Sequence, residues 1–175
     1  AILQIGQNHL PQVLYEALQT IANPIIRNTA TIGGNICEMN HKLTLYAPLL
    51  ALDAKLEFVS QTETITEPLL NFKEFPKDSV LTGIKIPNVD ADISIFRRIG
   101  PENKITQRSA SFAFIAATEK DTISSLRLAF AGPFAFRSRT LENDIIGKRL
   151  PLSQKDISEI LEMVKQEFYK TATDQ

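Results

Sequence analysis

From Ile93 to Gly132 three extended runs follow one another with no helical pattern between them. They are Ile93-Ser94-Ile95-Phe96-Arg97-Arg98-Ile99, Ser109 through Thr118, and Leu126-Arg127-Leu128-Ala129-Phe130-Ala131-Gly132. Strands joined without crossover helices pair antiparallel, so this half of the chain is constrained to an antiparallel sheet. Two helices are predicted after it. Ser138 or Thr140 caps the run from Leu141 to Ile146, which Gly147 stops. Ser153-Gln154-Lys155-Asp156 opens the last helix as a capping-box variant. Its predicted inner face is Ile157, Ile160, Leu161, Val164 and Phe168.

The first half alternates helical and extended patterns. Leu3 and Ile5 make a short strand that ends at Gly6. Leu10, Val13, Leu14, Ala17, Leu18 and Ile21 recur at helical spacing, with Pro11 tolerated in the first turn. Asn23-Pro24 is read as the end of that helix, because the residue before proline is pushed away from the α region. Ile25-Ile26 then runs extended toward two adjacent glycines. Thr44 is the predicted N-cap of a helix carrying Leu45, Leu49, Leu50 and Leu52, with Pro48 near its first turn. Ala54 to Val59 alternates apolar and charged residues and pairs in a hairpin with Thr64-Ile65-Thr66. Asn71 to Pro76 reads as a turn or short helix, and Val80 to Pro87 as another strand. Asn88-Val89-Asp90-Ala91-Asp92, polar and just past a proline, is the predicted boundary. The expected fold class is α+β, with one unit over 1–90 and a second, a sheet with helices, over 91–175.

Composition narrows the function. With 43% hydrophobic and 22% charged residues in 175, the chain can bury a core without disulfides. A formal net charge of −1 argues against nucleic acid as a partner. Cys37 is the single cysteine, which rules out an internal disulfide and argues against a cysteine zinc site. A reducing, cytoplasmic setting fits best. The start, Ala1-Ile2-Leu3-Gln4-Ile5-Gly6, lacks the basic opening of a signal peptide, and no apolar run reaches the ~18 residues of a membrane helix.

Chemistry is sparse. Gly33-Gly34, flanked by Thr31 and Asn35, has two readings: an ordinary turn, or a phosphate cradle built on positive φ angles and converging N–H groups. His41 and Cys37 form an imaginable nucleophile pair with no orienting third group, against the plainer reading of a surface histidine and a half-buried cysteine. Arg97, Arg98, Lys104 and Arg108 form a basic cluster, either a solvated strand and loop or a face for phosphate. No metal-ligand spacing appears, and no carboxylate pair suits acid–base work.

An ordered set of motifs then carries a resemblance. The run Ile25-Ile26-Arg27-Asn28-Thr29-Ala30-Thr31-Ile32-Gly33-Gly34-Asn35-Ile36 resembles the signature of the FAD-binding subunit or domain of molybdenum hydroxylases, the xanthine dehydrogenase and carbon monoxide dehydrogenase family. Leu49 to Ala54, Leu81 to Pro87, Phe96 to Gly100, and Leu128 to Gly132 with Arg137 are similar to further family motifs, in the same order.

The resemblance implies the second lobe of a two-lobed FAD-binding domain followed by a small C-terminal domain. It implies an electron-transfer subunit of an oxidoreductase, passing electrons between iron–sulfur clusters and an acceptor such as NAD. Iron–sulfur and molybdopterin subunits are the implied partners. The chemistry would be the flavin's, with the protein supplying position and electrostatics. Cofactor contacts are implied for Thr31, Ile32, Gly33, Gly34 and Asn35, with Ala30 beside them, and for Ile21 and Leu81. Thr44 stands where relatives carry an Asp, and Gln107 where many carry a Lys. The family's N-terminal Gly-rich loop has no counterpart in this sequence. Half of the FAD site is therefore expected elsewhere, and this chain alone is expected to be inactive and to leave its glycine loop without flavin. The competing reading is a relative that has lost FAD and serves as a scaffold docking partner subunits.

Overall fold

A computed structural model describes residues 9–101 and 104–173. The predicted strand at Leu3 and Ile5 lies outside them. Four short helices come first: α1 (Gln12–Gln19), α2 (Pro24–Thr29), α3 (Ile32–Cys37) and α4 (Tyr46–Ala51). A three-stranded antiparallel sheet follows, ordered β2-β1-β3, from β1 (Lys55–Val59), β2 (Thr64–Pro68) and β3 (Val80–Lys85). A 3-10 turn spans Leu69–Asn71, ending where the expected turn or short helix of Asn71 to Pro76 would begin; residues 72–76 carry no helix. The second sheet is a meander, β4 (Ile93–Ile99), β5 (Ala110–Glu119), β6 (Thr122–Ala131) and β7 (Ala135–Phe136). Helices α5 (Arg139–Ile145) and α6 (Gln154–Thr173) close the chain.

The second sheet has two different faces, and that difference organises the molecule. On one face Phe96, Ala113, Ile115, Ala129 and Ala131 join the core built by α1, α4 and the first sheet. Three of these are alanines, so a helix can approach closely. Helix α4 does so, with all six of its residues buried. On the other face Ala116, Leu126 and Ile123 pack with Phe136, Leu141 and Ile145. Phe168 of α6 meets Phe130, Phe134 and Phe136 there at ring-centroid distances of 5.2, 4.8 and 5.6 Å. The first sheet buries Leu56 and Phe58 on one side, Phe58 stacking on Phe72 at 5.6 Å.

Several local expectations change. Thr44 does not cap α4: Leu45 occupies the N-cap position without a side-chain bond, and Thr44 is buried. Asn23-Pro24 does not lead into extended chain. Asn23 caps a new helix by accepting the Ile26 N–H at 3.0 Å, with Pro24 at its first position. Ile157 and Leu161 are exposed, and the inner face of α6 is Ile160, Met163, Val164 and Phe168.

The capping box of α6 forms as read. Ser153 Oγ accepts the Asp156 N–H at 3.1 Å, and Asp156 Oδ2 accepts the Ser153 N–H at 3.1 Å. The Ser153 hydroxyl first, and then the Lys148 ammonium, draw the Asp156 carboxyl from 3.8 down to about 2. A carboxyl lowered on folding stabilises the fold above its unfolded pKa and loses that effect as pH falls through its folded one. The Tm advantage of wild type over Asp156→Asn is therefore expected to shrink from about pH 4 and vanish near pH 2. Melting curves across that range test it; an advantage independent of pH would contradict it.

Candidate functional site

The chain between α1 and α4 folds back twice, and each corner is fixed by a side chain. At the end of α1, Arg27 donates from Nη1 to the carbonyls of Ile21 at 2.7 Å and Ala22 at 3.2 Å. That holds the corner where Ala22 sits at φ +36°. Ala30 and Thr31 make a two-residue extended link from α2 to α3. Thr31 caps α3, its Oγ1 accepting the Gly34 N–H at 2.9 Å. Ile36, fully buried, anchors α3 in the core.

The two glycines therefore sit in the first turn of a helix. The positive-φ glycines among the described residues are Gly100 and Gly147, so the positive-φ nest expected at Gly33-Gly34 does not form. What the sequence offers instead is a helix start stripped of side chains. The N–H groups of Ile32 and Gly33 have no intrahelical acceptor by position. A Cβ on Gly33 would meet nothing within 4 Å, while one on Gly34 would stand 3.0 Å from Thr31 Oγ1.

A hollow of about 650 Å³ opens beside this turn. Of the residues singled out from the sequence, Ile21, Ala30, Thr31, Gly34, Asn35 and Thr44 line it. Ile32 and Gly33 neighbour it in the chain but do not line it. Leu81 is on β3, paired opposite Phe58 and packed against the core. Gln107 accepts a hydrogen bond from Lys42 Nζ at 2.9 Å and is likewise not in the lining.

The lining also includes Ile26 and Glu38, and Arg98, Lys104 and Ile105 from the far side. Two members of the basic cluster thus reach the hollow, which chain order alone did not reveal; Arg97 instead donates to its own neighbour's carbonyl, that of Phe96, at 2.8 Å. Ile26 was missed because α2 was missed, although Asn-Pro is itself a helix-start signal.

Asn35 Oδ1 is buried and has no hydrogen-bond partner in the protein. Ser94 Oγ and Ser111 Oγ are in the same state, and with almost no exposed surface the Asn35 atom does not open onto the hollow. The hollow thus combines the hydroxyls of Thr29, Thr31 and Thr44, the cations of Arg98 and Lys104, and the apolar Ile21, Ile26 and Ile105. That set fits a ligand with phosphates, polar hydrogens and a flat apolar part. Burial and then the neighbouring Lys42 lower the His41 pKa, and its ring packs edge-on against Tyr46 at 4.9 Å. Cys37 is exposed. Among the described residues no hydrogen bond joins the two, no group of acidic, histidine or cysteine side chains is spaced for a metal, and no helix is long and apolar enough to cross a membrane.

Residues 2–89 match the model of a family described as the FAD binding domain in molybdopterin dehydrogenase. The chain is 31% identical to the xanthine dehydrogenase FAD-binding subunit of Escherichia coli O157:H7, over 93% of this chain and 58% of that protein. It is 24% identical to the glyceraldehyde dehydrogenase medium chain of Sulfolobus acidocaldarius, over 79% and 52% respectively. The chain thus spans little more than half the length of these relatives. Among solved structures it superposes on a chain of carbon monoxide dehydrogenase from Hydrogenophaga pseudoflava with a TM-score of 0.77 at 21% identity, covering 92% of this chain and 57% of that one. Quinoline 2-oxidoreductase from Pseudomonas putida 86 gives 0.75 at 13% identity, covering 92% and 59%. These last two speak for the fold, an α+β arrangement of helices and antiparallel sheets shared across the superposed chains. With half of its length matched by the family model, the chain belongs to the FAD-binding domain family of the molybdopterin dehydrogenases.

Proposed function

We propose that the hollow between α2, α3 and the β4–β5 connection binds FAD, and that the chain is part of the electron-transfer subunit of a molybdenum hydroxylase. The observation that carries this is the hollow itself, which gathers Thr31, Gly34, Asn35 and Thr44 from one side of the chain with Arg98 and Lys104 from the other. Bound FAD would supply electron transfer between iron–sulfur clusters and an acceptor such as NAD. The chain's own residues bind and orient it. Thr31 holds the first turn of α3 in shape by accepting the Gly34 N–H. Asn35 contributes polar surface to the lining. Gly34 keeps the backbone approachable at the hollow. Thr44 offers a hydroxyl, and Ile21 and Ile26 cover apolar surface. Ala30 lines the approach, and Ile32, Leu81 and Gln107 support the site from its edges. An iron–sulfur subunit and a molybdopterin subunit are the proposed partners. We place the boundary between the FAD-binding unit, 1–90, and the C-terminal unit, 91–175, in the link between β3 and β4.

Flavin titration of the purified protein tests this reading, followed by absorbance and by quenching of flavin fluorescence. Although the sequence alone led to the expectation of a glycine loop without flavin, the hollow gathers hydroxyls, cations and apolar cover within this chain, and wild type is therefore expected to bind FAD. Gly34→Ala brings a methyl against Thr31 Oγ1 and is expected to weaken binding about tenfold or more, through loss of the cap and of the close approach. Gly33→Ala adds its methyl in open space within a helix and is expected to stabilise the fold by roughly 0.5–1 kcal/mol. A colourless protein that ignores FAD yet captures the partner subunits would favour the scaffold reading instead.

A further inference from the structure

The far wall of the hollow belongs to the other half of the chain. The family match ends at residue 89, whereas Arg98, Lys104 and Ile105 come from β4 and its connection to β5. The described parts of that connection are tied down at several points. Arg98 donates from Nη1 to the Pro101 carbonyl at 2.7 Å and from Nη2 to the Lys104 carbonyl at 3.0 Å. Thr106 N–H donates to Ser109 Oγ at 2.9 Å. Lys42 Nζ donates to Gln107 Oε1 at 2.9 Å, joining the segment between α3 and α4 to the same connection.

A planar guanidinium that commits separate N–H groups to two carbonyls fixes a loop in a way a single ammonium does not. With its own backbone carbonyl held by that fork, Lys104 lines the hollow. Within the lining, Arg98 and Lys104 face one carboxylate, Glu38, so the wall carries an excess of positive charge. It stands in the same hollow as Thr31 and Gly34 of the α3 turn.

Resting on the reading that this hollow takes FAD, we infer that Arg98 is a positioning residue whose fork holds Lys104 against the hollow, and that Lys104 neutralises the cofactor's diphosphate. The C-terminal unit then contributes selectivity for phosphorylated flavin to a site whose other wall lies in the first unit. No bond is made or broken; the effect is on binding.

The test compares FAD with riboflavin, which has the ring and ribityl chain but no phosphate. Lys104 is exposed, and Lys104→Gln is not expected to disturb the fold. It should weaken FAD about tenfold and leave riboflavin affinity unchanged. Arg98→Lys keeps the charge but loses the fork, and should weaken FAD to a similar degree at an unchanged Tm. Because Arg98 acts through Lys104, the double variant should bind no worse than the weaker single one. If wild type fails to bind FAD, the site assignment itself is lost. If wild type binds and Lys104→Gln binds equally well, or loses riboflavin as much as FAD, or the two effects add, the present inference alone is overturned.

Discussion

Replacing Glu142 with alanine is expected to lower the unfolding free energy by about 3–5 kcal/mol, seen as a fall of roughly 10 °C in Tm. The reason is Arg137, whose side chain is only 1% exposed. Its guanidinium donates to Glu142 Oε1 at 2.8 Å and Oε2 at 3.2 Å, to Asp53 Oδ1 at 2.8 Å, and to the Leu50 carbonyl. Burial alone would push its pKa down, but Glu142 and then Asp53 more than reverse that and raise it, so it stays charged. Removing Glu142 strands part of a buried cation. It also takes the acceptor from the Leu128 N–H, bonded to Glu142 Oε1 at 2.9 Å. Arg139 also reaches Asp53, at 2.6 Å, but its side chain is 63% exposed, and Arg139→Ala is expected to cost less than about 1 kcal/mol. Urea denaturation of the two variants side by side checks the contrast. Equal small losses would mean that the buried pair relaxes or admits water.

Gly100→Ala is expected to cost about 2–3 kcal/mol. Gly100 has φ +122°, a region an L side chain rarely adopts, and a Cβ there would lie 2.8 Å from Ser109 Oγ and 3.2 Å from Ser109 Cα. Ser109 is buried and accepts the Thr106 N–H, so it has little room to yield. Because Gly100 sits between Arg98 and Lys104, the same change is expected to weaken FAD binding under conditions where the variant is fully folded. Denaturant melts and flavin titration at 10 °C separate the two effects. A variant melting within about 0.5 kcal/mol of wild type would show that the turn shifts freely.

The strands were legible because their signals are local. Lys55 to Val59 alternates, the hairpin after it is short, and Ile93 to Ala131 has no helix signal to compete with an antiparallel meander. The glycine site was legible as a place but not as a shape. Two glycines permit a nest, yet the hydroxyl of Thr31 and the burial of Ile36 select a helix start. Asn23-Pro24 was ambiguous in the same way: proline ends the preceding helix and begins the next, and only Asn23 accepting the Ile26 N–H decides between them. Thr44 is N-cap chemistry by residue type, but tertiary burial drew it to the hollow's edge. Ile157 and Leu161 fit the apolar face of α6 by spacing, but the helix meets the sheet through Ile160 and Val164, a small rotation that periodicity does not resolve. What no local signal carried was the meeting of Arg98 and Lys104 with Thr31, set by how α1 and α4 lie on the second sheet.

The alanine face of that sheet bears on how such a protein can be taken apart. Phe96, Ala113, Ile115, Ala129 and Ala131 lie on the far side of the proposed 90/91 boundary from the helices they cover. Severing the chain there would bare Val13, Leu14 and Leu49 on one piece and this small-residue face on the other. Neither piece would keep a closed interior. Residues on both sides of the proposed boundary share one hydrophobic core. A chimera joining the first unit of one relative to the second unit of another would have to match residue sizes across this face, position by position, before any cofactor contact mattered.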